Sequence, residues 1–146
     1  MQMIYQKDPK GCWIACIAMI TGYPYMDIRE LMQAKYIERG SGHDGIAIAL
    51  AYLGYAVAPK ARGYGYPLLM QQTWPPKPWA DVHICEVAPK RGETHAVIML
   101  RDGKVFDPMW GLKQLEDYEE IFMVSAVYKF EELPQCIGRL SSEDKE

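Results

Sequence analysis

Hydrophobic and polar positions divide the chain into two halves of different rhythm. In the first half, residues 12–21 (CWIACIAMIT) are apolar around the whole circumference of a helix rather than along one stripe, and Gly22 follows as a residue able to take positive φ. This predicts a short helix buried in the middle of the domain. Asp8, Pro9, Lys10 and Gly11 form a turn cluster just ahead, which puts Cys12 at or close to the first helical position. A second helix is predicted from Met26 to about Tyr36, with Ile28, Leu31, Met32 and Tyr36 facing inward. A third runs from about His43 to Leu53, nearly all Ile, Ala and Leu, and ends at Gly54. Residues 62–79 (RGYGYPLLMQQTWPPKPW) are dense in Gly, Tyr, Pro and Trp, which predicts a long surface connection that either lines a groove or covers the core.

The second half is rich in β-branched and aromatic residues. Strands are predicted over Val82–Val87, His95–Leu100, Lys104–Phe106 and Ile121–Phe130. Asp102-Gly103 is a strong hairpin signal, because a two-residue type I′ turn needs positive φ at both central positions. With that turn Arg101 faces Lys104 and Asp107 faces Ile98. His95 then lies three residues further on, roughly 10 Å away at ~3.4 Å per residue. A bulge, a longer loop or a bend must close this gap if His95 and Asp107 are to meet. Helices followed by antiparallel strands define an α+β domain, with the buried N-terminal helix packed on the sheet.

Composition narrows the picture. A chain of 146 residues that is 49% hydrophobic suits one core, so residues 1–140 are read as a single domain and 141–146 (SSEDKE) as a frayed polar tail. The formal net charge is -3 and no Lys/Arg cluster occurs, so neither nucleic acid nor an anionic membrane surface is an expected partner. The longest apolar runs, 12–20 and 46–53, fall short of the roughly 20 residues that span a bilayer. The opening MQMIYQKDPK lacks a basic stretch followed by an apolar one, so a soluble, cytoplasmic protein is expected. Cysteines 12, 16, 85 and 136 do not form a disulfide framework and are read as free thiols. Cys12 and Cys16 are spaced more widely than the CxxC of structural zinc sites and no second ligand pair follows, so neither metal nor cofactor is expected.

Candidate chemistry begins at Cys12. A thiol at a helix N-terminus meets the positive end of the macrodipole and unpaired backbone N–H groups, which favour thiolate, the nucleophilic form. Such a nucleophile needs a base, and the base needs a partner that holds its ring. His95 opens one strand of the hairpin and Asp107 closes the other, so folding the hairpin returns them towards each other. Each residue also has an ordinary reading. Cys12 suits a buried helix start, His95 a strand edge, and Asp107-Pro108 a turn with Asp as cap. Cys16 and Cys85 read as core, and Cys136 carries no assignment. His43, as a cap neighbour, and His83, as a sheet residue, are reserve bases. Trp13 and Trp110 are candidates for the substrate-binding wall, and Trp110 serves either to shield the His95–Asp107 bond from water or as plain core.

The run Gln6-Lys-Asp-Pro-Lys-Gly11-Cys12-Trp13, followed by IACIAM, resembles the start of the catalytic helix of papain-fold peptidases. Thr94-His95-Ala-Val-Ile and Val105-Phe106-Asp107-Pro108 resemble the histidine and aspartate strands of the C39-like branch, best known for cleavage after double-glycine leaders. The motifs occur in the family's order and span residues 6 to 108. The resemblance implies a papain-like cysteine proteinase fold with Cys12 as nucleophile, His95 as base, Asp107 as its orienter and Gln6 as an oxyanion donor. The implied activity is cysteine peptidase-type hydrolysis of a peptide or isopeptide bond in a peptide or protein substrate, through a thioester. The same machinery serves a glutamine deamidase or an acyltransferase, and a peptide-binding module without turnover would keep the fold. Gly11 and Trp13 depart from the family, which usually has Asp or Asn before the cysteine and a small residue after it. Leader specificity is therefore not implied.

Overall fold

The computed structural model describes residues 1–34, 43–62, 80–90 and 92–132. Among these residues three α-helices, α1 (Cys12–Thr21), α2 (Tyr25–Ala34) and α3 (His43–Tyr52), precede six strands: β1 (Tyr55–Arg62), β2 (Val82–Ala88), β3 (His95–Leu100), β4 (Val105–Asp107), β5 (Gly111–Lys113) and β6 (Glu120–Lys129). The strands form one antiparallel sheet in the order β1-β6-β2-β3-β4-β5. The α+β class expected from the sequence is what the chain adopts.

The all-round apolar sequence of α1 matches its surroundings, since every residue from Cys12 to Met19 is buried. The helix ends where Gly22 takes φ 79° and donates its N–H to the carbonyl of Ala18, a left-handed cap that costs glycine little. Its neighbours are Ile28 and Met32 of α2, Ile46 and Leu50 of α3, and the sheet face carrying Ile84, Ala96, Ile98 and Phe106. Side chains alternate along a strand. The other sheet face therefore carries a second cluster, Cys85, Val87, Val97, Met99 and Val105, closed by Leu115 and Tyr118.

Two strands are additions to the expected set. β1 (YAVAPKAR) carries a proline, which weakens its reading as a strand. It is an edge strand, and its register against β6 shifts between Pro59 and Ala61, which is where a residue lacking an N–H is tolerated. β5 has only three residues and is too short to show alternation. The second helix starts earlier than expected, at Tyr25, which is itself buried. The 62–79 connection beyond Arg62, Tyr36, Cys136, the polar tail and the side chain of His43 lie outside the described residues.

The β3–β4 hairpin corrects the two-residue turn. Ile98 pairs with Phe106 and Met99 with Val105, and the N–H of Leu100 donates to the carbonyl of Lys104 at 2.9 Å. The loop is thus Arg101-Asp102-Gly103, three residues long. Gly103 takes φ 90°, and the Asp102 carboxylate accepts the N–H of Lys104 at 3.0 Å. That Asx-type bond suits the longer turn. Continuing the register, Asp107 stands opposite Val97 rather than Ile98. A slip of one residue moves a side chain to the other sheet face. Asp107 therefore shares its face with Val97 and with His95, two residues along.

Candidate active site

The loop before α1 is held by α2. The Tyr25 hydroxyl donates to Asp8 Oδ2 at 2.7 Å, Arg29 Nη2 lies 3.5 Å from Asp8 Oδ1, and the N–H of Gly11 donates to the carbonyl of Asp8 at 3.0 Å. A Cβ on Gly11 would collide with the Tyr25 hydroxyl. Glycine is needed here for space rather than for its dihedral freedom, since its φ is −89°. Cys12 follows as the first residue of α1, 7% exposed.

His95 begins β3 and is 6% exposed, while Asp107 ends β4 and is fully buried. The two are diagonal neighbours across the hairpin, a separation of ~7–8 Å between Cα atoms that long side chains can bridge. The bridge here is a hydrogen bond of 2.6 Å between His95 Nε2 and Asp107 Oδ1. Cys12 and His95 border the same cleft, and Cys12 is among the groups that raise the His95 pKa. With Nε2 engaged by Asp107, Nδ1 is the ring nitrogen left to exchange a proton with the thiol.

Burial alone would lower the His95 pKa, but the hydrogen bonds with Asp107 and Cys12, reinforced by the charge of both, override it and push the pKa up to about 9. Burial likewise opposes ionisation of Asp107. Hydrogen bonds from His95, Tyr118 and the N–H of Met109 outweigh that, and its carboxyl is held below the ordinary range. At neutral pH the pair is imidazolium and carboxylate. Asp107 Oδ1 also accepts the N–H groups of Met109 and Trp110, at 2.8 and 3.1 Å. One carboxylate thus performs both tasks read from the sequence, capping the Asp-Pro turn and holding the histidine ring.

Asp107 has a further partner that the sequence reading missed. The Tyr118 hydroxyl donates to Asp107 Oδ2 at 2.6 Å, and burial first, then the carboxylate, push its own ionisation well up. Tyr118 follows a 3-10 turn, Leu115–Asp117, within a polar run. The available signal was the spacing of Leu115 and Tyr118, two apolar-faced residues three apart among Gln114, Glu116, Asp117 and Glu119.

Gln6 is placed differently from the other three candidates. Its side-chain Nε2 donates to the carbonyls of Asp8 (3.0 Å) and Pro9 (3.2 Å), inside its own loop. Its Oε1 is buried and has no hydrogen-bond partner among the described residues. Its backbone N–H donates to the carbonyl of Pro108 at 2.9 Å, which ties the N-terminal segment to the residue after Asp107.

Cys12 and His95 open onto a cleft of about 510 Å³, bordered by Lys10 and Trp13 on the α1 side and by Lys90 and Trp110 across from them. Trp110 is 58% exposed, so it is not core. Trp13 is buried but still borders the cleft. The core readings of Cys16 and Cys85 agree with their burial, which raises the Cys85 pKa to about 12 and that of Cys16 well above its ordinary value. His83 is a buried sheet residue. Its Nδ1 lies 3.1 Å from the Met99 carbonyl, its Nε2 accepts the N–H of Ala80 at 3.2 Å, and burial lowers its pKa. It does not border the cleft. Among the described residues, no group of three or more His, Cys, Asp or Glu side chains is arranged to hold a metal ion. No described helix is long and apolar enough to cross a membrane.

The fold and this site define an α+β domain with a cysteine, a histidine and an aspartate gathered at one end of the sheet. No protein-family model and no curated protein matches the chain.

Proposed function

We propose that the chain is a cysteine hydrolase of the papain-like, C39-like type, cleaving a peptide or isopeptide bond. The observation that carries this reading is His95, held through Nε2 by Asp107 at 2.6 Å and lining one cleft with Cys12. A buried structural cysteine has no need of a base whose ring is fixed in this way.

In the proposed reaction a Cys12 thiolate, paired with the His95 imidazolium, attacks the carbonyl carbon and forms a C–S bond while the carbonyl oxygen becomes an oxyanion. The backbone N–H of Cys12, in the first turn of α1, has no intrahelical acceptor and serves as one oxyanion donor. Gln6 serves as a second donor only after releasing the Asp8 or Pro9 carbonyl. As the C–N bond breaks, His95 passes its proton to the departing amine. Neutral His95 then takes a proton from water as its oxygen attacks the thioester carbon; the C–S bond breaks, the carboxylic acid is released, and the Cys12 thiolate and His95 imidazolium are restored. Asp107 stays ionised throughout and holds the ring.

Iodoacetamide labelling at pH 6 tests the reading. Cys12 should alkylate far faster than Cys16, Cys85 and Cys136, and faster than Cys12 in a His95→Ala chain. Slow, equal labelling of all four thiols would remove the basis for the enzyme. Profiling a library of peptides and ubiquitin-like conjugates against wild type and Cys12→Ala then separates hydrolysis from deamidation, acyl transfer and binding without turnover.

A further inference from the structure

We propose that Tyr118 is a positioning residue of this site, its hydroxyl fixing the rotation of the Asp107 carboxylate so that Oδ1 is presented to His95. The proposal rests on the reading of His95 as the base.

The two carboxylate oxygens of Asp107 have separate duties. Oδ1 accepts three donors, His95 Nε2 and the N–H groups of Met109 and Trp110. Oδ2 accepts the Tyr118 hydroxyl at 2.6 Å. Asp107 is fully buried, so no bulk water replaces a lost donor at Oδ2. Deprived of Tyr118, the carboxylate has two ways to relieve an unpaired anionic oxygen. It can rotate, which breaks the alignment of Oδ1 with the ring, or it can take up a proton, which removes its charge. Both weaken its hold on His95.

Tyr118 is itself immobilised. Its N–H donates to the Leu115 carbonyl at 3.2 Å, closing the 3-10 turn, and the next N–H, from Glu119, donates to the Ala88 carbonyl at the end of β2 at 2.9 Å. Its ring belongs to the cluster on the sheet face away from α1, and it does not border the cleft. It therefore acts on the reaction only through Asp107. Among the described residues, the titratable groups that interact with Asp107 are His95, Tyr118 and, from α1, Cys16. Those that interact with His95 are Asp107 and Cys12. Cys16 stays protonated over the working range, which leaves Tyr118 as the adjustable neutral donor.

The test is the pH titration of the His95 imidazole by NMR in wild type and Tyr118→Phe. The expected result is a fall of about half a pH unit or more from a starting value near 9, with the folded spectrum retained. A Tyr118→Phe chain that loses thermal stability but keeps or raises the His95 pKa overturns the proposal, because a packing role alone would do that. If Tyr118→Phe does not fold, wild type labelled with [13Cζ]tyrosine gives a second readout. The Tyr118 resonance should move in step with His95 as the imidazole titrates, and a resonance indifferent to that titration overturns the proposal. Neither measurement needs turnover. A chain with coupled titrations but no hydrolytic activity would defeat the proposed function and leave the positioning role standing.

Discussion

His95 and Asp107 sit diagonally across the β3–β4 hairpin, offset by two residues, and close that offset with a 2.6 Å hydrogen bond on one face of the sheet. This relation makes the stability of the domain pH-dependent. The folded pKa of His95, about 9, lies above the ordinary value of about 6.5, so the folded chain binds the proton more tightly than the unfolded one. The resulting stability is complete below about pH 6.5 and is lost as pH rises through 9, a change on the order of 1–3 kcal/mol. Urea denaturation at pH 6, 7.5 and 9.5 should show this decline. His95→Gln should flatten it.

Asp107→Asn keeps the shape and removes the charge. The His95 pKa should fall well below 9 and turnover of any substrate should drop by about 10²–10⁴-fold. The measurement is kcat/KM against pH for both chains. The imidazolium must be present for attack, so the alkaline limb should move to lower pH in the variant. An unmoved limb would mean that Asp107 does not control the base.

Gln6→Ala separates two oxyanion arrangements. Loss of a donor already aimed at the oxyanion costs about 10²–10³-fold in kcat. With the Gln6 N–H groups on the Asp8 and Pro9 carbonyls, the expected loss is under about tenfold, accompanied by lower thermal stability as the loop loses two hydrogen bonds. A kcat loss of the larger size would show that the loop rearranges when substrate binds.

Gly11→Ala should destabilise the chain by about 1–3 kcal/mol, because the added methyl meets the Tyr25 hydroxyl. Tyr25→Phe alone should also destabilise, since it removes the hydrogen bond to Asp8 Oδ2. In the double variant the methyl gains room, so the combined loss should be smaller than the two single losses together. A double-mutant cycle in urea measures the difference. Strict additivity would place the clash elsewhere.

Trp110→Ala should leave the melting temperature nearly unchanged, as expected of a side chain 58% exposed, and should raise KM for a peptide substrate more than it lowers kcat. Fluorescence of the folded chain and steady-state kinetics read the two effects separately.

What was legible in the sequence follows from where local pattern governs. α1 announced itself because burial on all sides demands apolar residues on all sides, and its boundaries follow from Gly11 and Gly22. The strands flanking the hairpin could be read from their β-branched residues. The loop length could not, because Asp102-Gly103 serves a three-residue loop as well as a two-residue one, and the choice depends on which face of β4 the core accepts. That one residue decides whether Asp107 and His95 share a face. β1 was hidden by Pro59, tolerated only because the strand is at an edge with a register shift there. Tyr118 was hidden because its partner is chosen by tertiary contact, and nothing local marks a tyrosine that will meet a buried carboxylate.

Cys12 and His95 belong to the helical and the sheet half of the chain, and Cys12 is synthesised long before His95. On the ribosome Cys12 emerges while β3 and β4 do not yet exist, with neither an imidazole nor a cleft beside it. If the proposed function holds, the thiol gains its base only when the hairpin docks against α1, and a chain that misfolds after synthesis would be chemically quiet as well as unfolded.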